Sequence, residues 1–203
     1  MPRRRHHRQL RDRSIESELK FRVGGPKDHA RVRTALKKLG YKLEGTYDEE
    51  NYRFLGPGKT TRRVTLRLRV LDGGPRGMLT AKGAAKFFAG VKVREETEIE
   101  VNNAHATLDL LAQLGFQVLV IYRKHRAVWV AGNVNVTLDR LDFGHFVEVE
   151  GPLETIPDIA RELGLDPANA VKDSYSIMAR KFVAAEKKSA KRPGAPAASM
   201  STA

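Results

Sequence analysis

Charged residues in this 203-residue chain recur two positions apart and sorted by sign: Glu16 with Glu18 and then Lys20, Arg67 with Arg69, Arg94 followed by Glu96 and Glu98, Lys124 with Arg126, and Glu148 with Glu150. Paired carboxylates offer hard oxygen ligands to a divalent cation, and paired arginines and lysines offer donors to an anion with several oxygens. There is no cysteine, so only oxygen or histidine is available to hold a metal. The six histidines are scattered with none at zinc spacing, and His125 and His145 read as surface residues.

A spacing of two is the side-chain period of a β-strand. Residues 15–23 alternate strictly, with Ile15, Ser17, Leu19, Phe21 and Val23 on one face and Glu16, Glu18, Lys20 and Arg22 on the other. Further strands fit residues 46–55, 62–72, 77–83, 91–101, 118–130, 133–141 and 145–150, separated by turn residues such as Gly56-Pro57-Gly58 and Gly73-Gly74-Pro75. Helices fit residues 27–39 and 104–114, each stopped by a glycine (Gly40, Gly115), and two proline-started segments, 157–163 and 167–183. The pattern predicts eight strands with flanking helices.

An ordinary antiparallel sheet with one wet face explains alternation, but not the sorting by sign. Like charges two apart on a strand lie about 6.6 Å from each other. Their repulsion is about 0.6 kcal/mol in bulk water and about 2.5 kcal/mol at an effective dielectric near 20. On an open sheet that is negligible. Inside a closed barrel several such pairs would approach the roughly 5 to 15 kcal/mol stability of a domain, unless opposite charges and bound ions offset them. A barrel with this face inside therefore predicts a bound metal and a bound anion.

Glu16-Ser17-Glu18-Leu19-Lys20 resembles the E-x-E-x-K signature that opens proteins of the CYTH superfamily, which includes class IV adenylyl cyclases, thiamine triphosphatases and inorganic triphosphatases. The later pieces follow in that family's order. Arg67-Leu68-Arg69 resembles its R-x-R strand, Leu79-Thr80-Ala81-Lys82-Gly83 its L-T-x-K-G strand, and Arg94 with Glu96 and Glu98 its R-x-E-x-E strand. Lys124-His125-Arg126 resembles K-x-R, and Leu138-Asp139 with Phe146-Val147-Glu148-Val149-Glu150 resembles the closing L-D and F-x-E-x-E. The match spans residues 14 to about 178, and its overall pattern is most similar to the class IV cyclase branch.

The resemblance implies a mainly β (α+β) fold, an eight-stranded antiparallel β-barrel holding a triphosphate inside. Lys20, Arg67, Arg69, Lys82, Arg94, Lys124 and Arg126 would pair the phosphate oxygens, with Lys20, Lys82 and Lys124 as the catalytic cations. Glu16, Glu18, Glu96, Glu98, Asp139, Glu148 and Glu150 would hold Mg²⁺ or Mn²⁺, bridging acid to anion. Two reactions are implied: conversion of ATP to cyclic AMP and pyrophosphate, or hydrolysis of tripolyphosphate or an organic triphosphate such as thiamine triphosphate. Fold resemblance alone does not choose between them. Where the family often has Leu-Gly before its last strand, this chain has Phe143-Gly144. Lys124 and Arg126 also share parity with Val120 and Tyr122, so an inward-facing charged strand calls for a bulge there.

The net charge of +13 raises a second reading, a non-catalytic module binding polyphosphate or RNA. Much of that charge lies at the ends: six arginines against one aspartate in residues 1–14, and three lysines and an arginine against one glutamate in residues 186–203. Residues 1–13 and 186–203 read as disordered tails around one domain, 14–185. No specific nucleic-acid partner is expected, because two E-x-E pairs are useless to a pure anion binder. The longest apolar run, Val118 to Tyr122, is far too short to span a membrane. A cytoplasmic monomer or homodimer is the expectation. Gly56-Pro57-Gly58-Lys59-Thr60-Thr61 lacks the first glycine and the following helix of a P-loop, so it reads as a turn. Trp129 and Tyr122 read as core or rim.

Overall fold

A computed structural model describes residues 13–58 and 64–190. The strands are β1 (Arg13–Val23), β2 (Lys42–Leu55), β3 (Thr65–Leu71), β4 (Gly77–Lys82), β5 (Lys86–Phe88), β6 (Val91–Val101), β7 (Gln117–Ala131), β8 (Val134–Leu141) and β9 (Gly144–Glu150). Helices α1 (Pro26–Lys38), α2 (Ala104–Gln113), α3 (Ile156–Glu162) and α4 (Tyr175–Ala190) flank them. The strands form one antiparallel sheet in the order β1-β9-β8-β7-β2-β3-β4-β6, and β6 returns to β1 to close an eight-stranded barrel. The closure is staggered: residues 13–18 of β1 pair with β6, and residues 18–23 pair with β9.

The apolar core lies outside the barrel wall. Leu19, Phe21, Val147 and Val149 face outward and pack with Val32 and Leu36 of α1 and Ile156 and Ala160 of α3. On the other side, Phe54 and Leu68 meet Ala104 and Leu111 of α2. Strand alternation then leaves the charged set inside. Pro26 in the first turn of α1 and Asn103, whose side chain accepts a hydrogen bond from the Ala106 amide at 2.9 Å, fix where two of these helices begin.

A third cluster seals one end of the interior. Val120 and Tyr122 keep the parity of Lys124 and Arg126 and do turn inward, where they pack with Phe146, Leu141 and the first turns of α4. The irregularity in β7 falls one residue earlier: Arg53 pairs with Val120 and Phe54 with Val118, which leaves Leu119 extra. The interior is thus charged along its length and apolar at the α4 end.

Several features differ from the expectations, among them the start of β2 at Lys42 rather than at 46. β5 is a ninth strand, pairing three residues with Val91–Val93 as an extension of the β4 side of β6. The segment 167–183 is not one helix: a short 3₁₀ turn at Pro167–Asn169 is followed by an extended stretch before α4 starts at Tyr175. Within that stretch the Val171 amide donates to the Lys20 carbonyl at 2.6 Å, tying it to β1 and delivering the start of α4 into the barrel. α4 also runs to Ala190, past the expected tail boundary. In the expected third barrel strand, 62–72, Val64 is not part of the strand, which runs from Thr65 to Leu71. Residues 59–63, in the P-loop-like turn and the start of that expected strand, lie outside the described residues, as do 1–12 and 191–203. No helix among the described residues is long and apolar enough to cross a membrane.

Candidate active site

The barrel encloses a cavity of about 250 Å³. Thirteen of the fourteen residues singled out in the sequence line it: Glu16, Glu18 and Lys20 from β1, Arg67 and Arg69 from β3, Lys82 from β4, Arg94, Glu96 and Glu98 from β6, Lys124 and Arg126 from β7, and Glu148 and Glu150 from β9. Asp139 of β8 lies behind them with no exposed surface.

The strand register sets charges of opposite sign against each other. Lys20 stands opposite Glu148 and reaches it at 3.1 Å; Arg126 stands opposite Asp139; Lys82 stands opposite Glu96; and Glu16 stands opposite Arg94, 3.0 Å away. This cross-strand pairing offsets the repulsion within each strand. It also favours the charged forms of Lys20 and Glu148. Burial opposes the Lys20 ammonium, but Glu148 and Glu18 outweigh it and raise its pKa. Burial likewise opposes the Glu148 carboxylate, yet Lys20 and Arg126 hold it well below the usual range. Lys124 is held differently: burial and the adjacent Arg126 lower its pKa, against the pull of Asp139 and Glu49.

Two register positions break the rule: Arg53 faces Arg67 across β2 and β3, and two carboxylates meet across β1 and β9. Glu18 faces Glu150 across β1 and β9, and Glu16 completes a trio in which one oxygen from each carboxylate lies within 4.8 Å of the other two. Burial and the charge of Glu148 push the Glu150 carboxyl up to about 7. Nearby, burial and a hydrogen bond to Glu16 push Glu96 up to about 8. Three converging carboxylates, one of them so reluctant to ionise, fit a hard divalent cation such as Mg²⁺ or Mn²⁺, which needs oxygen ligands and relieves their repulsion. Within the trio, Glu16 also meets Lys82 and Arg94 and Glu18 meets Lys92, and Glu150 has no cation within ion-pair distance among the described residues. The acidic residues outside it are engaged as well: Glu98 by Arg67 and Arg69, Glu148 by Lys20 and Arg126, Glu96 by Lys82, and Asp139 by Arg126.

Several contributors were not singled out in the sequence. Glu49 of β2 is 3% exposed, 3.1 Å from Lys124 and 3.5 Å from Arg69. Lys92 holds Glu18 at 2.6 Å. The Tyr175 hydroxyl donates to Asp139 at 2.7 Å, and its ring lies 4.2 Å beneath the Lys20 ammonium. Thr80 donates to Glu98 at 2.7 Å. At the apolar end, the Arg22 guanidinium donates to the Phe143 carbonyl at 2.7 Å. Gly144 beside it has φ 137°, and a Cβ there would come within 2.5 Å of Arg22, so the Phe-Gly turn needs its glycine. His125 and His145 face outward, and Trp129 belongs to the exterior core.

The profile of the CYTH domain family matches residues 14–175. A Methanocaldococcus jannaschii protein named as a candidate adenylate cyclase is 27% identical over 172 residues, covering 79% of this chain and 96% of its own. Among solved structures, a Pyrococcus horikoshii protein superposes with a TM-score of 0.67 at 26% identity, over 80% of this chain and 98% of that one. A Hippeastrum protein, described as a candidate adenylyl cyclase that reveals a dominant triphosphatase activity, superposes with a TM-score of 0.64 at 22% identity, over 82% and 96%.

Proposed function

The chain belongs to the CYTH domain family, and from that premise we propose that its barrel is a metal-dependent triphosphate tunnel that hydrolyses a phosphoanhydride bond of its substrate. The observation that carries this reading is the cavity lining. Apart from Tyr122 and Tyr175, every described residue on it is charged or a small hydroxyl residue, a surface suited to a phosphate chain.

Glu16, Glu18 and Glu150 would hold Mg²⁺ or Mn²⁺. Such an ion, when bound, would supply positive charge to offset what builds on the phosphates during transfer. The remaining work falls to the chain's own cations. Arg67 and Arg69 enter side by side from β3, with side chains 15% and 20% exposed, and present forked donors to non-bridging oxygens. Lys20, Lys82 and Lys124 supply compact charges around the same chain of phosphates; Lys20 and Lys124 are held against the Tyr175 ring. Asp139 and Glu148 hold the Arg126 guanidinium in place. In hydrolysis, water attacks the terminal phosphorus, the bond to the bridging oxygen breaks, and orthophosphate leaves with the shortened chain. Positioning and charge neutralisation supply most of the rate in such a transfer.

Cyclisation of ATP is the second reading, favoured by the name of the Methanocaldococcus jannaschii relative. There the ribose 3′-oxygen attacks the α-phosphorus and pyrophosphate leaves. Product analysis with tripolyphosphate and with ATP, under Mg²⁺ and under Mn²⁺, tests both. Orthophosphate supports hydrolysis, cyclic AMP supports the cyclase, and no product from either substrate would leave a non-catalytic anion binder. The absence of cysteine and the need for ATP or inorganic triphosphate favour a cytoplasmic setting.

A further inference from the structure

Outside the barrel, between α1 and the outward faces of β2, β7 and β8, runs a groove of about 740 Å³. His29, Arg33 and Lys37 stand four residues apart on α1, so one stripe of the helix forms its upper wall. His29 packs edge-on against His145 with ring centroids 5.2 Å apart, and His145 stands opposite Arg140 across β9 and β8. Arg33 and Arg140 thereby approach the groove from its two sides. The floor is apolar: Leu43 stands opposite Trp129 across β2 and β7, with Ala127 and Leu138 beside them.

The charge balance here is unlike that of the interior. Inside, every cation on the cavity lining except Arg53 has a carboxylate within 4.0 Å. No described residue of the groove wall is an aspartate or glutamate. Among the described residues, no carboxylate lies within ion-pair distance of Arg33, Lys37, Lys42 or Arg140. Among the described basic residues of the wall, only His125 meets a carboxylate, Asp48, at 2.8 Å. The indole N–H of Trp129, a residue 4% exposed, is buried without a partner. Unmatched cations over an apolar, aromatic floor suit a ligand that is an anion at one end and a flat ring at the other. The volume suits a small organic molecule, for which roughly 300 to 1,000 Å³ is usual.

We propose that this groove is a second binding site, for a nucleoside phosphate whose base lies on Leu43 and Ala127, over the buried Trp129, and whose phosphate is held by Arg33 and Arg140. It is separate from the tunnel and does not depend on the reaction performed there. The occupant would nevertheless touch strands that carry tunnel residues on their other face, since His125 lies between Lys124 and Arg126 and Arg140 follows Asp139.

Trp129 is the chain's only tryptophan, so its fluorescence reports on the groove. The test is a titration of indole emission in the full chain with AMP, which lacks a triphosphate, in the absence of metal, with adenosine and orthophosphate run alongside. AMP should change the emission saturably, and more tightly than adenosine or orthophosphate. The double variant Arg33→Ala/Arg140→Ala, altered only at exposed positions, should weaken AMP by about tenfold or more. The tunnel variant Arg67→Ala/Arg69→Ala should titrate like the wild type. The proposal is overturned if AMP gives no saturable change. It is equally overturned if adenosine or orthophosphate binds as tightly as AMP, or if the response is lost in the tunnel variant and kept in the groove variant.

Discussion

The Arg126 guanidinium lies against the Asp139 carboxylate with two parallel hydrogen bonds, Nε to Oδ1 and Nη2 to Oδ2, each 2.7 Å long. Tyr175 donates to the same Oδ2 at 2.7 Å, and Lys124 lies 3.7 Å from it. Asp139 therefore spends its oxygens on orienting cations, and we assign it to positioning Arg126 rather than to holding the metal.

Removing one member of a buried ion pair leaves the other uncompensated, at a cost of about 3 to 5 kcal/mol. Asp139→Ala should lower the free energy of unfolding by an amount in that range. Asp139→Asn, which keeps an acceptor for Arg126, should lose less. Denaturant unfolding checks both; an Asp139→Ala midpoint equal to that of the wild type would refute the positioning role.

Neutralising Glu150 should abolish turnover and metal binding while leaving the fold intact. Glu150→Gln removes one of three mutually repelling carboxylates, so the metal-free variant should melt no lower than the wild type. Glu148→Gln should also abolish turnover, but through loss of the partner that holds Lys20 and Arg126. Near wild-type rates in the Glu150 variant would refute the metal assignment.

Metal binding should depend on pH with a definite sign. The Glu150 carboxyl, pushed up to about 7, is protonated below that pH and must ionise to bind a cation. Binding of Mn²⁺ near pH 6 should release about one proton per ion, falling toward none near pH 9, and affinity should rise with pH and then level off. In the metal-free fold the sign reverses. A carboxyl raised from 4.5 to about 7 on folding contributes stability that is full below 4.5 and lost as pH rises through 7. Calorimetry in buffers of different ionisation enthalpy counts the proton; equal release at both pH values would contradict the trio.

The ends of the chain should be dispensable for chemistry. Because α4 reaches Ala190, the matching truncation keeps residues 13–190 rather than stopping at 185. Its turnover number on tripolyphosphate should equal that of the full chain. Loss of catalysis in a folded truncation would assign the tails a part in the site.

The interior set was readable because a strand's period of two is insensitive to where the strand begins: Glu16, Arg67 and Glu148 announce their face wherever the ends fall. Glu49 was hidden by its neighbours, since Asp48 and Glu50 put acids on both faces of β2, and irregularities at Leu43/Gly45 and Arg53/Phe54 shift its parity. Lys92 was visible on the charged face of its strand, but nothing in the spacing paired it with Glu18. Tyr175 was lost because residues 167–183 read as one helix, which hides a side chain at the true helix start. β5, with three residues, is too short to show any periodicity.

The central proposal is that interior cations and metal-bearing carboxylates together hold a triphosphate within a closed wall. Thermal unfolding of the 13–190 chain tests it most directly, with tripolyphosphate plus Mg²⁺ compared with sodium chloride at equal ionic strength. Saturation at a hundred times the dissociation constant adds about 2.7 kcal/mol. The melting temperature should therefore rise by several degrees with tripolyphosphate and Mg²⁺, much less with salt, and not at all in Arg67→Ala/Arg69→Ala. Equal shifts from salt and from tripolyphosphate, or an undiminished shift in the double variant, would contradict it.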